Sequence, residues 1–305
     1  MGSNWNKSKV AAKATGRPPV AVEISPEGVL AGVLPGAGEE YVYAYAALPP
    51  GALFLSLDET NLRLPDAVTG AIRSALSELA PRTRAISLVL PDTLVRVFVL
   101  DFDSIPAKAA DALSVVRFRL RKMVPFDVEP AGVSYQVLSQ RAKECKVLSA
   151  VVPGPVLAEY EAAVRAAGYE PGAVLSSSLA ALERVNGMEA VFAANLSTLA
   201  ITTAIANGQD LLLYRTLDLP QEPGPRLYEI QRSIAVAAAY FEDKLGSRPR
   251  QLHYAGVQPA AEFAHSIGEP DLTVVEWMPR PASGVLTTLP QTSLAGVAGA
   301  LAGAR

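Results

Sequence analysis

Few residues in this chain of 305 are of the types that do covalent chemistry. Nucleophilic catalysis needs a base beside the nucleophile. The two histidines offer little of that kind: His253 lies in an apolar stretch and His265 in a stretch that reads as helix, and no Gly-x-Ser-x-Gly turn exists. Both read as structural. Ser176, Ser177 and Ser178 read as a helix start, where hydroxyls satisfy free backbone amides. Cys145 is alone, which excludes an internal disulfide and a cysteine-rich zinc site. No Walker-type glycine loop is present. Two features remain. The cations Arg117, Arg119, Arg121 and Lys122 either complement a helix C-terminus or face an acidic partner or anionic lipid, and Phe126 is either a core anchor or part of a peptide groove.

Elements that position these residues need a substantial core, and a chain that is 50% hydrophobic can build one, in about two domains. Twenty-seven basic residues against 30 acidic ones give a net charge of −3, so no global field favours nucleic acid. The single cysteine suits a reducing compartment. Residues 1–17 carry Lys7, Lys9, Lys13 and Arg17 without an acidic residue or the apolar core of a signal peptide, and are expected to form a flexible basic tail. No apolar run reaches bilayer length, so a membrane role is expected to run through a partner.

Beyond the tail, Val20 to Ile24 and Val29 to Leu34 read as a hairpin turned by Ser25, Pro26, Glu27 and Gly28. A strand over Tyr41 to Leu48, a helix opened by Pro65 and a strand over Ala85 to Leu90 follow. A separate unit begins at Pro91, with a strand over Val95 to Leu100, a helix over Ala107 to Lys122 stopped ahead of Pro125, and strands over Val133 to Leu138 and Lys146 to Val152. A helix from Val156 ends at Gly168, and Ala173 to Leu175 and Ser178 to Val185 close the first lobe. In the second lobe, Asn207 and Gly208 turn a hairpin between Leu199–Ala206 and Leu211–Leu219. A long helix over Leu227 to Leu245 and a strand at Gln251 to Tyr254 follow. Hairpin and helix therefore occur twice, which describes a duplicated α/β architecture.

From Ala85 to Leu138 the sequence resembles the PilM family of type IV pilus assembly proteins, which are actin-like and related to FtsA. The resemblance is carried by Leu88 to Thr93 (Leu-Val-Leu-Pro-Asp-Thr), Val115 to Lys122, Val124 to Asp127 (Val-Pro-Phe-Asp) and Val133 to Leu138. It implies an actin-like, ribonuclease H-like duplicated fold of two lobes with a small inserted α+β subdomain. On this basis residues 18–90 and 145–188 form the first lobe, 91–144 the insertion, 189–290 the second lobe and 291–305 a C-terminal helix. It also implies a cytoplasmic scaffold at the inner membrane that captures the N-terminal peptide of a membrane-anchored PilN-like partner and meets other pilus platform proteins. Arg117, Arg121, Lys122, Phe126 and Tyr135 are the expected peptide contacts.

Such proteins can hold ATP with magnesium, and the turns that would do so are Glu23 to Gly28, Asn195 to Thr198 and Ala255-Gly256. Each departs from the family pattern. Pro26 removes an amide, Glu27 brings negative charge toward phosphate, and Asn195 and Ser197 stand where an acid and a glycine are expected. Nucleotide binding through Glu23, Ser25, Asn195, Ser197 and Gly256 is therefore expected to be weak or lost. The competing readings are an actin-like ATPase using Glu23 to organise the metal, and a filament-forming structural protein.

Overall fold

The computed structural model describes residues 16–34, 41–141, 143–185, 187–277 and 292–304. The expected basic tail therefore lies outside the described residues except for Gly16 and Arg17.

The first hairpin is β1 (Val20–Ser25) and β2 (Gly28–Val33), followed by β3 (Val42–Ala47). Helix α1 (Pro65–Leu79) crosses over to β4 (Ala85–Leu90), which lies parallel to β1. Pro65 begins the helix where its missing amide is not needed, and Val68, Ile72 and Leu76 recur at every fourth position to give it a buried face. A second crossover, α3 (Gly154–Ala166), leads to β8 (Glu170–Ser176), parallel to β4. The sheet order is β3-β2-β1-β4-β8.

The second lobe repeats this plan. Strands β9 (Val191–Leu196), β10 (Ala200–Asn207) and β11 (Asp210–Asp218) form an antiparallel meander. Helix α5 (Pro223–Leu245), β12 (Gln251–Gly256), α6 (Ala260–Ile267) and β13 (Thr273–Glu276) then add two parallel strands, giving the order β11-β10-β9-β12-β13. Both sheets thus read 3-2-1-4-5 in their own strand order, with helical crossovers at the same two places. Helix α5 starts four residues ahead of the expected Leu227 because Pro223 and Pro225 sit in the first turn, where proline is tolerated.

Between β4 and α3 the first lobe carries an extra unit: β5 (Arg96–Phe102), α2 (Ala109–Leu120), β6 (Gly132–Arg141) and β7 (Glu144–Val152). Its antiparallel sheet has the order β5-β7-β6, so β7 pairs within the extra unit, and the unit runs past the boundary expected after residue 144. Leu100, Val116, Leu120, Val147 and Val151 form its core together with buried Cys145.

A short helix, α4 (Ser177–Ala181), follows β8, and the last helix, α7 (Ala295–Ala302), packs against it and against β1, β2 and β4. Val297, Ala298 and Leu301 cover one face of the first sheet, while Ala295 sits among Ala193, Ala204 and Ala255 of the second lobe. This close fit needs small residues. A Cβ on Gly296 would lie 2.5 Å from both Glu23 Oε2 and Ser177 Oγ, and one on Gly299 would lie 2.6 Å from the Ala181 Cα. No helix among the described residues is long and apolar enough to cross a membrane.

Candidate functional site

The duplicated sheets aim their first turns at one cleft. Ser25 ends β1 and its hydroxyl donates to the Gly28 carbonyl at 3.2 Å; Ser197 follows β9 and donates to the Ala200 carbonyl at the same distance. The two serines, expected near phosphate, close their own turns in matching ways. Across the cleft Thr198 Oγ1 donates to Glu27 Oε1. Arg226, from the first turn of α5, holds the second turn from behind by donating to the carbonyls of Thr198 at 2.7 Å and Ser197 at 2.9 Å.

Below the turns lies a buried polar cluster centred on Asp92, in the short turn after β4. Its carboxylate accepts from Ser176 Oγ at 2.5 Å, the Ser178 backbone amide at 2.9 Å and the Ser178 hydroxyl. From the second lobe it accepts from Thr202 Oγ1 at 2.8 Å and the Tyr214 hydroxyl at 3.2 Å. Burial, with the Asp92 charge beside it, holds the Tyr214 phenol well above its usual range, so it stays a neutral donor. One carboxylate therefore ties both lobes together. Asn195 joins the cluster by donating to Ser178 Oγ at 2.9 Å.

Glu23 is partly buried, with its Oε2 enclosed beside Ser177 and under Gly296. Burial pushes its carboxyl up to about 8; the Ser177 hydroxyl opposes this, and the charges of Asp92 and Glu27 add to it. Burial thus favours the protonated form over the carboxylate, relative to a free side chain. Among the described residues, no group of three or more His, Cys, Asp or Glu is placed to hold a metal.

The cavity that Glu23, Ser25, Glu27, Asp92, Asn195 and Ser197 line measures about 50 Å³, against roughly 300–1,000 Å³ for ordinary ligand pockets. Thr292 and Ser293, leading into α7, close one side of it, and Gly256 pairs with Leu196 at the end of β12. ATP with magnesium, which the family resemblance implies, is opposed here by the small space and by the bond between the turns.

A larger opening lies on the other side of the first turn. A groove of about 660 Å³ runs between the loop Leu53–Asp58, Pro125 and Phe126 of the extra unit, and Leu199 and Leu219 of the second lobe. Pro26 and Leu199 form a wall shared with the small cavity. The loop is held by buried Asn61, whose side chain donates to the carbonyls of Ser56 at 2.8 Å and Glu59 at 3.0 Å and accepts from the Ser56 amide. So organised, it presents Phe54 to solvent, 56% exposed, with Arg63 against its ring.

This loop carries no periodic pattern, and the sequence reading passed over it. Of the expected peptide contacts, Phe126 lines the groove. Arg117 instead donates to the carbonyls of Val128 and, at 3.0 Å, Ala131, and Tyr135 donates to the Ala109 carbonyl, so both brace the extra unit. Arg121 pairs with Glu129, and Lys122 stands exposed.

No family model and no curated protein matches the chain. Among solved structures it is similar to a chain of the PilM-PilN type IV pilus biogenesis complex, with a TM-score of 0.76 and 18% identity over 95% of this chain and 99% of that one. The fold is PilM-like and actin-like. A second similarity, with a TM-score of 0.50 and 16% identity, is to the cytoplasmic domain of EpsL, an inner-membrane component of the type II secretion system of Vibrio cholerae; it covers 88% of this chain and 90% of that one.

Proposed function

We propose that this protein is a scaffold of a type IV pilus assembly platform, which holds the N-terminal peptide of a membrane-anchored, PilN-like partner. On this reading it works at the cytoplasmic face of the inner membrane and reaches the bilayer through that partner. The observation that carries the reading is the groove beside the loop Leu53–Asp58, on a fold shared with a chain from a PilM-PilN complex. Its walls are mostly apolar, with Phe54 and Phe126 as aromatic area and Asp58, Arg96 and Asp218 among them, and its size suits an extended peptide whose side chains enter pockets. The small, bonded cleft supports a holding role over an ATPase role.

Titrating the partner's N-terminal peptide against the purified protein tests this. Phe54→Ala is expected to weaken binding about tenfold or more, as loss of an aromatic anchor does, without loss of fold, because the ring is exposed. A folded protein that ignores the peptide would overturn the scaffold reading. Peptide binding indifferent to both Phe54→Ala and Phe126→Ala would place the site elsewhere.

A further inference from the structure

The outer face of α2 combines features that neither the groove nor the cleft uses. Phe118 is 64% exposed and Met123 42%. Val115, Phe118, Arg119 and Lys122 follow the spacing that puts side chains on one helical face, and Met123 stands one turn beyond Arg119. The spiral continues past Leu120, since the amides of Arg121 and Val124 donate to the carbonyls of Arg117 and Leu120. Two cations of the original cluster are engaged locally, Arg117 by hydrogen bonds to backbone carbonyls and Arg121 by the Glu129 carboxylate. Arg119 and Lys122 have no partner among the described residues.

Charge is also unevenly spread. Residues 96–152 hold nine Lys and Arg against six Asp and Glu, a net +3 in a chain whose total is −3. The extra unit is thus basic, as residues 1–17 are, in a chain that is acidic elsewhere. An exposed aromatic ring and a thioether beside two free cations match the layered chemistry of a lipid interface, where apolar side chains enter below the headgroups and cations meet the phosphates.

We propose that this face of α2, formed by Phe118, Arg119, Lys122 and Met123, docks on an anionic phospholipid bilayer. The contact is weak alone, because each cation near such a surface contributes about 1 kcal/mol. It acts together with a membrane-anchored partner by raising local concentration. Pro125 and Phe126, just beyond the patch, border the groove, so docking here turns the groove's edge toward the bilayer.

Flotation with vesicles of equal parts phosphatidylethanolamine and phosphatidylglycerol tests the proposal with no partner present. Binding is expected at low salt, falling as salt rises, and absent on phosphatidylcholine vesicles. Neutralising Arg119 or Lys122 to Gln is expected to weaken it about five-fold each, and Phe118→Ala is expected to weaken it further. All three side chains are exposed, so an unchanged melting temperature verifies the fold of each variant. No binding to the anionic vesicles would overturn the proposal, as would binding that the three variants leave unchanged, which would point to the basic tail. Phe54→Ala separates this surface from the groove: it is expected to leave flotation unaltered, whatever the outcome of the peptide titration.

Discussion

Thr198 donates a hydrogen bond to Glu27 across the cleft, joining the first turn of one lobe to the first turn of the other. The two turns occupy matching places in the duplicated sheets, each after the central strand. A phosphate chain between them would have to break this bond and face the Glu27 charge. MgATP is therefore expected to bind no tighter than about 1 mM, with no measurable hydrolysis. Isothermal titration checks this; a micromolar affinity abolished by Glu23→Ala would show that the cleft opens to admit nucleotide.

Asp92 should be the polar residue whose loss costs most. It accepts from Ser176, Ser178, Thr202 and Tyr214, so Asp92→Ala leaves several buried donors unmatched. A loss of about 2–4 kcal/mol is expected, read from the urea midpoint. Asp92→Asn should cost less, since hydroxyl donors can rotate to use the amide oxygen.

Glu23 sets a pH dependence. Its folded pKa of about 8 exceeds the usual 4.5, so the folded chain keeps a proton that the unfolded chain has released. The associated stability is fully present below about pH 4.5 and is lost as pH rises toward 8. At about 1.4 kcal/mol per pH unit the loss reaches a few kcal/mol. Glu23→Gln removes this slope, so the variant should gain on the native protein as pH climbs, in urea unfolding measured across that range. Parallel curves for the two proteins would mean that Glu23 is ionised at neutral pH.

Two glycines give opposite expectations. Gly299→Ala drives a methyl group into the backbone of Ala180 and Ala181 and should cost about 1–3 kcal/mol. Gly224→Ala, in the first turn of α5, meets nothing within 4 Å and should be neutral or slightly stabilising. Thermal melts of both variants compare them directly.

The fold was legible where local chemistry decides structure. Asn207-Gly208 turns the β10–β11 hairpin, and Pro26 and Gly28 mark the first hairpin. The cluster around Asp92 was not legible, because residues 92, 176, 178, 202 and 214 meet only through the packing of two lobes. Ser176 to Ser178 do open a helix, as their types suggest, yet no side-chain cap bond forms there, and two of the three hydroxyls bond Asp92 instead. The loop presenting Phe54 was missed for a related reason: Asn61 organises it through backbone groups, which leaves no hydrophobic period to read. Arg117 is the converse case. Its charge suggested a partner, but three-dimensional proximity gives it the carbonyls of Val128 and Ala131.

Helix α7 covers one face of a sheet whose strands are complete more than a hundred residues earlier. On the ribosome, the first lobe therefore emerges with Ala21, Leu30, Tyr43 and Val89 uncovered, and stays so until the second lobe has been made. A chain cut short anywhere before Ala295 leaves that face bare, a surface that chaperones and proteases recognise. Substitutions that unseat α7 are therefore expected to lower abundance in the cell even where every groove residue is present.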